Sequence, residues 1–354
     1  MFALYPRLKE EHDGEGSFAE ENTATASRLS NWMRNHKPGF SLRDQQLSTG
    51  AWTLMRTTTP GAGLLSWTRI QTSTPSELGI EPFSASPREM ADTVQAAARF
   101  YGAGSVGVAP MREAFVNQRE GEREILFDDA EVPAVTEGKF VIPRKMQWVV
   151  AIAISMDPTL LSQSPAVIGE AATALGYSQS ALVVASLAEF IRGLGYQAIP
   201  SINDTAQSVP FAIEAGLGEL SRMNKLVTPQ FGAAVRLCKV LTDMPMECDK
   251  PSRFGVEELC RQCKLCAEAC PSRALSFDDE PSFNPRGPWN NPGHKAWFED
   301  SYRCFSYWRK VGNGCAICLA SCPYTKAAYA RTPDYASLQG PGQWWNPDGI
   351  AAQK

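Results

Sequence analysis

The stretch CRQCKLCAEACP, residues 260–271, decides how the last third of this 354-residue chain folds. It follows the pattern C-x2-C-x2-C-x3-C-P, with cysteines at Cys260, Cys263, Cys266 and Cys270 and a proline at Pro271. This spacing is typical of chains that bind four-iron, four-sulfur clusters through thiolates. The two-residue gaps let three thiolates converge on one cube from a tight turn, while the fourth cysteine points away to a second cube. The stretch therefore predicts two clusters.

A second motif, CFSYWRKVGNGCAICLASCP at residues 304–323, ends in the same C-x2-C-x3-C-P pattern, although ten residues separate its first two cysteines. In two-cluster ferredoxins the fourth cysteine of each run binds the cluster of the other run. This crossover rule predicts one cluster on Cys260, Cys263, Cys266 and Cys322, and the other on Cys270, Cys304, Cys315 and Cys318. The two motifs together predict a ferredoxin-like iron–sulfur domain over residues 246–330.

A pair of zinc sites is the alternative reading of these cysteines, because C-x2-C also suits tetrahedral zinc. Zinc sites take four ligands in two pairs, however, and triple-cysteine runs that end in Cys-Pro are not their pattern. All ten cysteines lie at or after Cys238, whereas disulfide scaffolds are usual in small secreted chains. Iron–sulfur binding is therefore favoured, and the remaining Cys238 and Cys248 are predicted to be ordinary thiols.

The composition is that of a globular protein, with 44% apolar and 20% charged residues. The formal net charge of −4 gives no electrostatic reason to expect a nucleic-acid partner. The N-terminal residues MFALYPRLKE contain no apolar signal core, and no two arginines are adjacent anywhere in the chain. As given, the sequence predicts a cytoplasmic protein; the alternative is an exported, membrane-associated protein whose twin-arginine signal was trimmed.

Strands that alternate with helices predict an α/β layered core over residues 86–245. Ser86-Pro87 begins a capped helix, and the apolar residues 148–156 form a buried strand. A long helix is expected from Ser164-Pro165 to about Gly193, and its length leaves open a break near Gly176.

Two further segments flank these domains. Residues 1–85 are predicted to form an N-terminal segment of short helices and loops that wraps the core. Residues 331–354 are predicted to form a C-terminal tail.

From about residue 85 to residue 330, the sequence resembles the catalytic subunit of corrinoid-dependent reductive dehalogenases. Besides the cysteine motifs, AGLGELSR (215–222), TPQFGAAVR (228–236) and TDMP (242–245) carry most of the resemblance. The resemblance implies a nitroreductase-like α/β core that binds cobalamin, followed by the ferredoxin-like domain. It also implies that the corrinoid is bound base-off, without a protein histidine below the cobalt. The three histidines of the chain lie in no D-x-H-x-x-G corrinoid signature.

The resemblance implies three catalytic residues, which are Tyr177 in LGYSQ, Asn203 in PSIND and Arg236 in AVRLCK. Replacing carbon–halogen with carbon–hydrogen takes two electrons and one proton, so the protein must supply an acid. Tyr177 is expected to donate the proton, Arg236 to favour the resulting anion and Asn203 to orient the substrate or the halide. Contacts with the cofactor are expected from Thr173, Gly216, Gly218 and Ser221.

Two other functions stay open at this stage. Epoxyqueuosine-type reductases, which modify tRNA, share the Gly-rich and ferredoxin segments, and a non-catalytic electron-carrier subunit would need the clusters alone. The expected partners are an organohalide substrate and a low-potential electron donor such as reduced ferredoxin or flavodoxin. The resemblance adds a small membrane-anchor subunit, and a homodimer is also left open.

Overall fold

The structure is a computed structural model that describes residues 18–35 and 37–330. The predicted C-terminal tail, residues 331–354, lies outside the described residues. So do residues 1–17 of the predicted wrapping segment, together with His36.

Thirteen α-helices and ten strands form within the described residues. The helices are α1 (Phe18–Arg34), α2 (Leu42–Ala51), α3 (Thr53–Arg56), α4 (Pro75–Leu78), α5 (Pro87–Phe100), α6 (Pro158–Leu161), α7 (Val167–Gly193), α8 (Ser208–Glu214), α9 (Val256–Gln262), α10 (Leu265–Glu268), α11 (Ser301–Val311), α12 (Ile317–Ser321) and α13 (Pro323–Ala330). The strands are β1 (Ser105–Pro110), β2 (Arg119–Glu120), β3 (Arg123–Asp128), β4 (Ala134–Val135), β5 (Lys139–Pro143), β6 (Trp148–Ser155), β7 (Ala198–Ser201), β8 (Glu219–Leu220), β9 (Leu226–Val227) and β10 (Val235–Thr242).

Strands β1, β6, β10 and β7 form, in that order, a central sheet in which every neighbouring pair is antiparallel. Successive side chains of β6 point to opposite faces of this sheet, as the pleat of a strand requires. Val150, Ile152 and Ile154 pack into a core with α5 and α7, whereas Val149 and Ala151 pack into a second core with α8. The predicted α/β class is thus confirmed, with helices on both faces of the sheet.

Helix α7 runs unbroken for 27 residues, and its start differs from the prediction. It begins at Val167 because Ser164 still belongs to the turn after α6, where its N–H bonds to Leu161. The break near Gly176 does not occur. The helix packs closely on β10 at this residue, since a Cβ at Gly176 would lie 2.9 Å from Arg236 Cγ. By length and composition α7 could cross a membrane, but 67% of its apolar window is buried inside the fold.

A second sheet, which the sequence analysis did not predict, consists of β2, β3, β5 and β4 in that order. Its strands are short, and β3 pairs with β5 in parallel. Ile125, Phe140 and Ile142 from this sheet join the second core together with Trp67. The sheet thus covers the face of the central sheet opposite α7.

Parts of the described segment that precedes α5, including α2 and α3, lie along α7. Ser178 on α7 donates its hydroxyl proton to the carbonyl of Ala51 at 2.6 Å and accepts the N–H of Met55 at 3.2 Å. Further along the helix, the Glu189 carboxylate accepts three backbone N–H groups from residues 70–72. These contacts fix Trp52 next to the middle of α7.

The cysteine-rich domain contains the short helices α9 to α13 and joins the α/β core through a third apolar core. Met156, Met223, Val256 and Leu319 are among the buried residues of that core. Gly232, at a φ of 57°, lets the β9–β10 connection approach α13, because a Cβ there would lie 2.3 Å from a backbone nitrogen. The iron–sulfur domain is therefore packed on the connection that leads into β10, the strand that carries Arg236.

Candidate functional site

Tyr177 lies in the middle of α7, with a packed ring and a hydroxyl at the edge of the core. The residue is 9% exposed, and Trp52 stacks on its ring with centroids 5.6 Å apart. Asn203, which is exposed, donates its side-chain N–H to the Tyr177 hydroxyl oxygen at 3.1 Å. Because the hydroxyl accepts this bond, its own proton remains available for a bound molecule.

Arg236 extends from β10 toward the same tyrosine. Its guanidinium carbon lies 4.9 Å from the centroid of the Tyr177 ring, a cation–π contact. Nη2 donates to Thr173 Oγ1 at 3.2 Å, whereas the buried Nε has no hydrogen-bond partner. The structure thus brings Tyr177, Asn203, Arg236 and Thr173 together, and these four residues are called the Tyr177 site below.

Lys239, which is not among the site residues predicted from the sequence, fixes the loop that carries Asn203. The side chain is fully buried on β10, and its ammonium donates to Ile202 O at 2.8 Å, Asp204 O at 3.2 Å and Ser208 Oγ at 3.1 Å. Burial lowers the pKa of Lys239 to about 8, against the opposing effect of nearby negative groups. A lysine between apolar residues of β10 was the available signal, since lysine is rarely buried without partners.

Three predicted cofactor contacts occupy tight backbone positions instead of joining the Tyr177 site. A Cβ at Gly216 would lie 2.5 Å from Lys250 O, and one at Gly218 would lie 2.1 Å from Val227 O. Ser221 donates its hydroxyl proton to a carbonyl of its own turn at 2.8 Å. Within the described residues no hydrogen bond connects the three to the Tyr177 site. Backbone packing explains the two glycines, and a role in cofactor binding stays a prediction for all three residues.

The strongest thiolate–thiolate effects group the eight motif cysteines into two sets. The first set is Cys260, Cys263, Cys266 and Cys322, and the second set is Cys270, Cys304, Cys315 and Cys318. This is the grouping that the crossover rule predicts. One weaker effect crosses between the sets, from Cys266 to Cys318. In residues 18–35 and 37–330 no three metal-binding side chains form a site for a single ion. A cube carries each thiolate on a separate iron, so its ligands need not converge on one atom.

Burial disfavours the free thiolate form of Cys266 and Cys304. Burial, and then the thiolates of the same set, raise the pKa of the Cys266 thiol to about 12. The same causes, joined by Glu299 and opposed by Lys225, raise the pKa of Cys304 to about 12. Cluster binding must therefore release protons from these thiols. The burial and grouping of the eight cysteines fit two clusters.

Two family models match the chain: residues 122–246 match "Reductive dehalogenase subunit" and residues 259–325 match "4Fe-4S double cluster binding domain". The tetrachloroethene reductive dehalogenase of Sulfurospirillum multivorans is 39% identical over 261 residues, which are 69% of this chain and 52% of that protein. The corresponding enzyme of Dehalobacter restrictus is 35% identical over 293 residues, 75% of this chain and 53% of that protein. The chain belongs to the reductive dehalogenase family.

The fold of the chain is also similar to that of a solved reductive dehalogenase. A variant of the catabolic reductive dehalogenase NpRdhA superimposes with a TM-score of 0.62 at 25% identity, over 78% of this chain and 36% of that chain. The α/β core with a double-cluster domain is therefore a fold of the family, and the nitroreductase-like description of the core stays a prediction. The chain spans about half the length of the curated relatives it matches.

Epoxyqueuosine reductases are more distant relatives of this family member, in line with the sequence analysis. The enzyme of Listeria monocytogenes is 28% identical over 229 residues, 60% of this chain and 58% of that protein. The two tetrachloroethene reductive dehalogenases share more residues over a longer alignment. Membership of the dehalogenase family therefore rests on the stronger of two related similarities.

Arg222, at the end of the AGLGELSR segment, is a further residue that was not predicted to belong to a site. It is fully buried, and its guanidinium donates to backbone carbonyls of Cys260 and Cys263 at 3.1 Å and of Ser276 at 3.0 Å. An arginine beside a Gly-rich segment carries no motif of its own, so only the fold reveals its contact with the first cysteine loop.

Proposed function

We propose that the chain is a reductive dehalogenase that replaces a carbon–halogen bond of an organohalide with a carbon–hydrogen bond. The observation that supports this best is the Tyr177 site, in which Asn203 donates to the tyrosine hydroxyl and Arg236 lies over the tyrosine ring. A proton donor is what the reaction requires of the protein, because the product carries one hydrogen that the substrate lacks.

The cofactor in this proposal is cobalamin, bound base-off. One solved reductive dehalogenase, with a TM-score of 0.56 and 24% identity, has a structure that suggests a mechanism for B12-dependent dehalogenation. The fit to this chain rests on two donors that can face a bound molecule: the unpartnered buried Nε of Arg236 and the exposed amide of Asn203. A bound cobalamin would supply the electrons that break the carbon–halogen bond. Base-off binding is consistent with the position of His294, whose ring packs on Phe298 in the iron–sulfur domain.

In this proposal the residues of the Tyr177 site divide the work of handling one proton. The Tyr177 hydroxyl donates its proton to the carbon that loses the halogen. The Asn203 N–H, already bonded to the hydroxyl oxygen at 3.1 Å, stabilises the negative charge that develops there. Arg236 adds a positive charge over the ring. Trp52, stacked on the other side of the site, excludes water from the ring face.

The electrons of the reaction enter through the iron–sulfur domain. Two 4Fe-4S clusters on the two cysteine sets would transfer electrons from a low-potential donor such as reduced ferredoxin or flavodoxin. A small membrane-anchor subunit and a homodimer complete the partners proposed for this chain.

Halide release tests the proposed function. The chain is reconstituted anaerobically with iron, sulfide and cobalamin, reduced with titanium(III) citrate and given tetrachloroethene or a chlorinated phenol. The proposal predicts chloride release that requires both cobalamin and the clusters. Reduction of epoxyqueuosine in tRNA without halide release would instead support the related reductase function. Intact clusters without corrinoid binding would support an electron-carrier subunit.

A further inference from the structure

The turn between β8 and β9, residues 221–225, places one cation beside each cysteine set. The Arg222 backbone N–H points at Cys260 Sγ at 3.5 Å, and its side chain donates to the carbonyls of Cys260 and Cys263 at 3.1 Å. Three residues later, Lys225 acts on the thiolates of Cys304 and Cys318, which belong to the second set. One short turn thus contacts the first cluster site and places a cation within electrostatic range of the second.

The two cations differ in how their charges are balanced. Every hydrogen bond of the Arg222 guanidinium within the described residues goes to a backbone carbonyl, and the residue is fully buried. Its aromatic neighbour is Trp297, whose ring centroid lies 4.8 Å from the guanidinium carbon. The nearby carboxylate of Asp279 is paired instead with Lys264 at 2.6 Å and is 77% exposed.

Lys225, by contrast, has a dedicated counter-ion. Its ammonium pairs with the Glu299 carboxylate at 2.8 Å, and the lysine side chain is 44% exposed while the glutamate is 11% exposed. The pairing with Glu299 reduces the field that Lys225 exerts on its surroundings. The positive charge beside the first set is therefore buried and, among the described residues, bonded to no carboxylate, whereas the charge beside the second set is paired with Glu299.

Reduction adds one negative charge to a cluster, so a nearby cation stabilises the reduced form more than the oxidised form. Net charge, hydrogen bonds to the sulfurs and solvent exposure are the known determinants of cluster potential. We propose that this turn sets unequal reduction potentials: Arg222 makes the cluster on Cys260, Cys263, Cys266 and Cys322 the easier one to reduce, and Glu299 limits the effect of Lys225 on the other. The proposal rests on cluster binding alone and not on the dehalogenation reaction.

The test is an anaerobic redox titration of the full chain with both clusters reconstituted, followed by electron paramagnetic resonance. In the Arg222→Gln variant, one of the two potentials should fall by about 59 mV or more, which is a tenfold change in a one-electron equilibrium constant. Arg222→Lys keeps the charge and should restore most of that potential. Lys326→Gln is the matched control, because it removes an exposed cation one helical turn from Cys322 and should move neither potential.

The Glu299→Gln variant tests the second half of the proposal and stays informative if Arg222→Gln fails to retain iron. Removal of the counter-ion should raise the potential that Arg222→Gln leaves unchanged. Equal shifts in Arg222→Gln and Arg222→Lys would overturn the proposal, because they would assign the effect to the lost carbonyl contacts. Unchanged potentials in the Glu299→Gln variant would overturn it as well.

Discussion

Replacement of Tyr177 by phenylalanine separates the proposed acid from the rest of the Tyr177 site. Phenylalanine keeps the ring, so the stacking on Trp52 and the contact with Arg236 remain. The variant loses one hydrogen bond, the 3.1 Å bond from Asn203. A bond of this kind contributes about 1 kcal/mol net, and the exposed Asn203 amide can turn to water. We therefore expect the fold and the contents of cobalt and iron to be unchanged.

The rate should respond far more than the stability does. A positioned general acid contributes roughly 10²–10⁴-fold to a proton transfer, so halide release by Tyr177→Phe should fall by a factor in this range. The assay is chloride release under titanium(III) citrate, normalised to bound cobalt.

Tyr196→Phe is the matched control for this variant. This variant also deletes one tyrosine hydroxyl, which donates to Phe83 O at 2.8 Å. That hydrogen bond is not part of the Tyr177 site, so Tyr196→Phe should keep full activity. If Tyr177→Phe released halide within about threefold of the unchanged protein, tyrosine would not be the acid, since such a small factor is below any general-acid contribution.

Three further predictions concern the scaffold of the two sites. Lys239 has a folded-state pKa of about 8 and an unfolded value near 10.5, so between these pH values the unfolded chain binds the extra proton. In urea titrations, the free energy of unfolding of the unchanged protein should rise relative to that of Lys239→Met by up to about 3 kcal/mol between pH 8 and pH 10.5. A difference in unfolding free energy that does not change with pH would contradict this. Burial alone would raise the pKa of Glu189, but the N–H groups of Gln71, Thr72 and Ile70 and then Arg192 lower it to about 2. Glu189→Gln should therefore be less stable than the unchanged protein by about 1–3 kcal/mol at pH 7, and the gap should close as the pH falls from 4.5 toward 2. Removal of iron by chelation should increase hydrogen exchange in residues 256–330, since two cluster cysteines belong to the third core, and should leave β6 and α7 protected; uniform exchange would contradict separate stabilisation of the domains.

The sequence predicted those parts of the molecule whose chemistry depends on spacing. The cysteine runs led to a double-cluster domain, and the family resemblance pointed to Tyr177, Asn203 and Arg236, which the fold brings into contact. The apolar run at residues 148–156 also located β6, because a buried strand is a short apolar run.

What the sequence could not predict depends on contacts between distant residues. The start of α7 at Val167 is set by the turn after α6. The second sheet consists of strands of two to six residues, too short to leave a clear periodicity. Arg222 and Lys239 gain their roles from partners up to 56 and 37 positions away in sequence, and no local pattern reports such partners.

The binding of two clusters and one corrinoid is tested most directly by a metal count. The chain is reconstituted anaerobically with iron, sulfide and hydroxocobalamin and passed through gel filtration, and the bound metals are then measured. Two cubes and one corrinoid predict about eight irons, about eight acid-labile sulfides and one cobalt for each chain. Protein that retained zinc alone, with neither iron nor cobalt, would contradict it.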